Sequence, residues 1–213
     1  LHFKGEGRPR IPQPGDKSWS GISLPWMAFG YEVSVTPMQT LTLYNSVANN
    51  GVMVKPQFVS EIKEWNKTIK KFDTEVMNPK VCSPETLKKV RALLENVVIR
   101  GTAKSLYSKE FPMAGKTGTA QVFGRNPNGS AKADTSWFAS YGPTNKPRFA
   151  VVMMVSQGGF GASVSGVGVR KIYETLFGVR GSRVDPAKAI FPDGKPPIKI
   201  PKISPSTKVK ESK

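Results

Sequence analysis

The amino-acid sequence predicts an α+β fold, an antiparallel sheet packed against helices and including a C-terminal helix. Three observations predict it. Two segments, opening at Thr36 and Ser83, carry apolar residues at helical spacing behind their own N-terminal caps. Between residues 113 and 156, three β-favouring stretches follow one another with turn-rich connections, the pattern of a meander. Beyond them Val169, Ile172, Tyr173, Leu176 and Phe177 fall at helical spacing, with Gly178 as the expected stop. With 213 residues and 38% hydrophobic content, the chain can bury one real core. We expect a folded unit over residues 1–180 and a basic tail over 181–213, since eight Lys and Arg stand there against three acids, among six prolines.

Residues 1–25 are rich in Gly and Pro, with Arg8-Pro9, Ile11-Pro12 and Gln13-Pro14-Gly15-Asp16, and read as extended loop pinned to a core by Trp19 and Trp26. Thr36-Pro37-Met38-Gln39 is a capping box with proline at the first helical position. Met38, Leu41, Leu43, Tyr44 and Val47 supply the apolar face of that helix, and Asn49-Asn50-Gly51 ends it. Residues 52–72 read as a hairpin whose strands, 56–65 and 68–72, meet at Asn66-Lys67. Ser83-Pro84-Glu85-Thr86 opens a second long helix with Leu87, Val90, Leu93, Leu94, Val97 and Val98 on one face. Gly101-Thr102-Ala103 breaks it before a short helix through Leu106 and Tyr107. The strands of the meander are placed at 113–123, 136–141 and 148–156, and residues 124–134 between the first two form a polar loop. Residues 149–155 are continuously apolar, as a strand covered on both faces would be, so Met153 and Met154 read as core.

One strand looks built to be approached rather than to fill a core. Ala114-Gly115-Lys116-Thr117-Gly118-Thr119-Ala120-Gln121 holds no large apolar side chain. Gly115 and Gly118 lack a Cβ and let another backbone come close. Lys116 sets a cation beside the edge, and Thr117 and Thr119 add hydroxyls. A ligand carrying a carboxylate and a carbonyl would meet a charge, two hydroxyls and free N–H groups there. Taken alone, Lys-Thr-Gly equally suits an ordinary glycine-weakened edge strand with a solvated lysine.

The flanks favour the first reading. Gly30-Tyr31-Glu32-Val33-Ser34-Val35-Thr36-Pro37-Met38-Gln39, Arg100-Gly101-Thr102-Ala103, the Lys-Thr-Gly strand and Asp134-Thr135-Ser136-Trp137-Phe138-Ala139-Ser140-Tyr141-Gly142-Pro143 occur in this order. Together, over residues 15–177, they resemble the C-terminal part of the transpeptidase domain of class B, monofunctional penicillin-binding proteins. The resemblance implies part of the penicillin-binding and serine β-lactamase-like fold. It implies acyl transfer on D-alanyl-D-alanine stem peptides through an acyl-serine, with peptidoglycan cross-links as product and β-lactams as acylating ligands. It gives Lys116 the substrate carboxylate and a part in the proton network, and Thr117 and Thr119 hydrogen bonds to that carboxylate. The Thr119 N–H becomes half of an oxyanion hole, and Gly118 keeps the strand flat for β-pairing with substrate, along an edge that Ala120 and Gln121 continue. The helix from Pro37 is scaffold. No cofactor or metal is implied.

The sequence departs from this family in one large respect. Ser-x-x-Lys occurs only as Ser60-Glu61-Ile62-Lys63, inside the expected hairpin, and Ser-x-Asn is absent. On a strand, positions i and i+3 face opposite sides, so Lys63 cannot take a proton from Ser60. The nucleophile and base are therefore expected upstream of Leu1, and the chain alone is expected to be inert. The implied partners are the N-terminal part of the same protein and membrane partners of the wall-synthesis machinery. The implied location is the extracytoplasmic side, anchored through a segment outside the chain. Asp185-Pro186 and Pro192-Asp193-Gly194 faintly resemble elongation-type rather than division-type relatives.

Composition narrows the other classes. Cys82 is the sole cysteine, which excludes an internal disulfide, and it reads as a small packed residue. His2 is the sole histidine and sits near the chain end, so a Ser-His-Asp mechanism is not expected and lysine is the remaining base type. No apolar run approaches the length of a membrane span. A net charge of +17 raises nucleic acid as a partner, but the lysines are spread along the chain instead of forming an arginine-rich patch with interleaved aromatics. We expect no nucleic-acid partner and a solvated basic surface facing anionic lipids or wall polymers. The alternative function is a non-catalytic, peptide-binding scaffold of the cell-wall machinery.

Overall fold

The structure, a computed structural model, describes residues 5–122, 124 and 134–177. Helix α1 (Ser23–Ala28) begins where composition suggested loop. Pro25 fits because it stands in the first turn, where a backbone N–H has no helical partner to lose. Trp26, expected in a core, is 40% exposed. Its ring meets Tyr31 edge-on at 5.2 Å between centroids and Phe29 at 5.6 Å, forming a surface aromatic cluster, while Trp19 is half-buried.

Helix α2 (Pro37–Ala48) carries the expected capping box: the Thr36 hydroxyl accepts from the Gln39 N–H, and the Gln39 side chain accepts from the Thr36 N–H. Asn50 and Gly51, at φ 55° and 83°, turn the chain out of the helix. The buried face runs through Thr42, Ser46 and Val47, while Leu43 is exposed. Thr42 and Ser46 can be buried because their hydroxyls donate to the Met38 and Leu43 carbonyls of the same helix.

Strand β1 (Met53–Val54), the hairpin of β2 (Glu61–Glu64) and β3 (Lys67–Lys71), and β4 (Val76–Asn78) come next. β1 pairs with β4 and β2 with β3, both antiparallel. The hairpin is shorter than expected and turns at Trp65 and Asn66, with Trp65 at φ 54°. Ser60 lies at its mouth, its carbonyl accepting from the Phe72 N–H, and the Lys63 ammonium pairs with Glu61 at 2.6 Å.

Helix α3 (Pro84–Ile99) opens on Ser83, whose hydroxyl accepts from the Thr86 N–H. Leu87 and Val98 are buried, but Leu93, expected beside them, is 66% exposed. Six residues beyond Leu87, it is rotated about 120° from that stripe at 100° per residue. Gly101 then folds so tightly against the helix end that a Cβ would lie 2.8 Å from Val97 Cα. A single 3-10 turn (Lys104–Leu106) stands in place of the expected short helix.

Strands β5 (Ala114–Ala120), β6 (Thr135–Gly142) and β7 (Phe149–Val155) form the antiparallel sheet in the order β5-β6-β7. The meander is as expected, although β5 ends three residues earlier. Coverage of β7 is not: its residues are half-buried, with Met154 45% exposed, and β6 is the buried strand. A continuous apolar run does not say which strand is central, and here β6 has hydrogen-bonded neighbours on both edges.

Alternation along β6 feeds two hydrophobic cores. Phe138 joins Val98, Ala103, Leu106, Phe111, Met113, Val169 and Tyr173 on one face. Tyr141 joins Val47, Leu87 and Ala114 on the other. A π-helical turn (Ala162–Gly166) leads into α4 (Val167–Phe177), which buries Val169 and Tyr173 and leaves Ile172 and Leu176 exposed. The rings of Phe111, Tyr173 and Phe177 pack as a near-parallel triangle, with Tyr173 6.4 Å from Phe111 and 6.0 Å from Phe177, and Phe111 6.5 Å from Phe177. Gly178, Phe123, most of the 124–134 loop and the 181–213 tail lie outside the described residues.

Candidate active site

Among the described strands β5 has one hydrogen-bonded neighbour, β6, which leaves its other edge open. The Lys116 ammonium marks that edge, donating to the Thr117 carbonyl at 2.8 Å and lying 3.4 Å from the Thr117 hydroxyl. In an extended strand the N–H and C=O of one residue point to the same side, and the residue two positions on repeats the direction. Thr119 therefore presents its N–H on the edge where Lys116 holds the Thr117 carbonyl.

The two glycines have different reasons. Gly115 is buried, and a Cβ there would lie 2.6 Å from the Ala139 carbonyl oxygen and 2.9 Å from the Phe138 ring. Its bareness serves packing against β6, not the approach of a ligand. Gly118 is half-buried, and its Cβ position faces Trp137 at 3.1 Å, beside a groove. This groove, of ≈ 510 Å³, is lined by Gly118, Thr119, Ala120, Gln121 and Trp137 on the sheet side and by residues 29–35 opposite.

The remaining side chains of the motif are held by partners distant in sequence. The Thr117 hydroxyl lies 2.9 Å from that of Thr102. The Thr119 hydroxyl accepts from the Gly161 N–H at 3.3 Å, and residue 161 is close enough that a Cβ would sit 2.5 Å from the Gly118 carbonyl oxygen. Gln121, one residue past the strand, accepts from the Tyr31 hydroxyl at 3.3 Å. Thus Lys116, Thr117 and the Thr119 backbone gather at one edge, while Ala120 and Gln121 border the groove at its end. The sequence reading missed Thr102, Tyr31, Trp137 and Gly161 as neighbours of the site. Three of them stand within the landmark segments, but nothing in local spacing pairs them with β5.

A larger groove, of ≈ 770 Å³, lies away from β5, between Asn50, Cys82 and α3. Its guanidinium is already employed: Arg91 donates to the Val47 and Ala48 carbonyls at the end of α2 and to Asn50 Oδ1. The displaced titrations belong to scaffold tyrosines. Burial pushes Tyr44 up to about 12. Burial also pushes Tyr173 up to about 12 against the opposing effect of its bond to the Ser140 hydroxyl. Tyr141 is raised by burial, with Arg91 opposing and Glu95 adding. Among the described residues no group of three or more His, Cys, Asp and Glu could hold a metal ion, and no helix is long and apolar enough to cross a membrane.

Residues 10–174 match the family described as penicillin binding protein transpeptidase domain. The penicillin-binding protein PbpB of Mycolicibacterium smegmatis is 32% identical over 169 residues, covering 70% of this chain and 25% of that protein. A peptidoglycan D,D-transpeptidase FtsI homolog of Mesostigma viride is 27% identical over 172 residues, covering 72% of this chain and 28% of that protein. The chain therefore spans about a quarter of the length of these relatives. Crystal structures of penicillin-binding protein 3 from Mycobacterium tuberculosis, in the apo form and complexed with ampicillin, each superpose with a TM-score of 0.62 at 26% identity, covering 82% of this chain and 42% of that one. The match over most of its length makes this chain a member of the penicillin-binding protein transpeptidase domain family, of class B.

Proposed function

We propose that these residues are the C-terminal part of a D,D-transpeptidase that cross-links peptidoglycan stem peptides through an acyl-serine intermediate and is acylated by β-lactams. The observation that carries this reading is the open edge of β5, where a cation, a hydroxyl and a backbone run with no strand partner stand together. The Lys116 ammonium is held there by neutral acceptors of Thr117, and a carboxylate is a stronger partner for it than either. Thr117 and Thr119 hydrogen-bond the same carboxylate. The Thr119 N–H supplies half of an oxyanion hole, a donor whose loss typically costs about 3–4 kcal/mol. Gly118 keeps the strand flat, so an extended peptide can add to the edge in β fashion, with Ala120 and Gln121 continuing its path.

Ser60 and Lys63 stay outside the chemistry, since they sit on the hairpin and the lysine is paired with Glu61. The acylated serine and its base are assigned to the part of the protein beyond these 213 residues. That part, the membrane anchor and membrane partners of the wall-synthesis machinery complete the enzyme on the extracytoplasmic side, where peptidoglycan lies. The elongation-type assignment rests on Asp185-Pro186 and Pro192-Asp193-Gly194, outside the described residues.

Two measurements test the proposal. Mixed with ampicillin, the 213-residue chain alone is expected to show no covalent mass shift. In the full-length protein, Lys116→Ala is expected to slow ampicillin acylation on the order of a hundredfold, the scale of losing one electrostatic stabiliser of the transition state. A stable adduct on the isolated chain, or an unchanged rate for the variant, would contradict it.

A further inference from the structure

Thr102 stands within one of the landmark segments, but nothing in the local sequence pairs it with β5. It follows α3 in a turn whose backbone has little freedom. Gly101 packs 2.8 Å from Val97 Cα at its Cβ position, the Gly101 and Ala103 N–H groups both donate to the Val97 carbonyl, and Ala103 is fully buried in the core under β6. The turn thus holds the Thr102 hydroxyl 2.9 Å from that of Thr117.

Proton counting gives this pair a direction. A hydroxyl has one proton and two acceptor lone pairs, and an ammonium can only donate. Lys116 Nζ already lies 3.4 Å from the Thr117 hydroxyl oxygen. If Thr102 also donates to that oxygen, both lone pairs face protein and the Thr117 proton is directed away from both. In the opposite arrangement Thr117 spends its proton on Thr102 and offers lone pairs to whatever approaches. A carboxylate favours the first arrangement, because it accepts and cannot donate.

We propose that Thr102 is a positioning residue: by donating to the Thr117 hydroxyl, it turns that hydroxyl's proton toward the carboxylate of a ligand lying on the β5 edge. This rests on reading β5 as a carboxylate-binding edge. Thr102 touches no ligand itself; it sets the orientation of a group that does, on a turn already fixed by Gly101 and Ala103.

The test uses the full-length protein and two probes, ampicillin and an ester of ampicillin that masks its carboxylate. Thr102→Val, which keeps the shape and removes the hydroxyl, is expected to slow acylation by ampicillin roughly tenfold, the scale of one hydrogen bond to a charged group. Acylation by the ester is expected to proceed as in the unaltered protein. Thr102→Ser is expected to restore the acid-to-ester rate ratio. That ratio is taken within one sample, so partial misfolding of a variant cancels from it. Equal slowing with both probes, slowing with neither, or a serine variant as impaired as the valine one would overturn the proposal. Thr117→Val serves as the control for the underlying reading. Ampicillin acylation unaffected by that substitution removes the carboxylate edge itself, and Thr102's role with it. A strong Thr117→Val effect beside a silent Thr102→Val removes only the proposal.

Discussion

Gly115 has no room for a methyl group, and the atom in the way is backbone. A Cβ 2.6 Å from the Ala139 carbonyl oxygen cannot be relieved by a rotamer change. Gly115→Ala is therefore expected to lower stability by about 1–3 kcal/mol, the usual scale of overpacking, read as a fall in the urea midpoint at unchanged slope. Tyr173 gives a residue-level prediction in pH. Burial holds its phenol neutral up to about 12 in the folded chain, against 10.0 for an ordinary tyrosine. The fold thus favours the protonated form. The associated stability is complete below about pH 10 and is lost as pH rises toward 12. Tyr173→Phe should cost about 1 kcal/mol near neutrality through its lost bond to Ser140, yet show a shallower alkaline decline in a pH series of denaturant midpoints. At this scale the motif residues were legible and their partners were not. Lys116, Thr117 and Thr119 announce themselves by composition, whereas Thr102 and Gly161 reach them across 15 and 42 positions of chain. Sequence shows the missing Cβ of Gly115 without showing which neighbour requires it.

Helix α2 shows how completely a local rule can specify an element. Both reciprocal bonds of its capping box form, and Pro37 occupies the first helical position. Thr36→Ala should therefore cost about 1 kcal/mol, checked by thermal melts monitored by circular dichroism. The β2–β3 hairpin behaves oppositely. Trp65 at its tip is 89% exposed, so Trp65→Ser is expected to change unfolding free energy by less than about 0.5 kcal/mol in equilibrium denaturation, as surface substitutions generally do. Caps and turns were legible because their chemistry lies within a few residues. The faces of α2 and α3 were legible only in part. Apolar identity marked Leu43 and Leu93 as core, while packing chose Thr42 and Ser46 and set Leu93 off the stripe. Hydrophobicity along β7 likewise does not reveal how many neighbours the strand has.

The molecule as a whole is organised by β6, which serves as one wall of two separate cores. Phe138, fully buried on one face, and Tyr141, buried on the other, tie α4 to α2 and α3 through the same strand. Phe138→Ala is expected to cost about 3–5 kcal/mol and to lower the melting of both halves together, giving coincident transitions by fluorescence and circular dichroism. Separate transitions would show that the cores are independent. The meander that builds this wall was legible from three β-favouring stretches and their turns, but the short β1–β4 pairing was not, since two- and three-residue strands leave no periodicity to detect. The ammonium resting on the Thr117 carbonyl also bears on how copies of this molecule behave toward one another. A bare strand margin invites stray polypeptide to zip onto it. A tethered cation plugging one acceptor midway interrupts that template, keeping crowded molecules apart while remaining easy for an anionic visitor to dislodge.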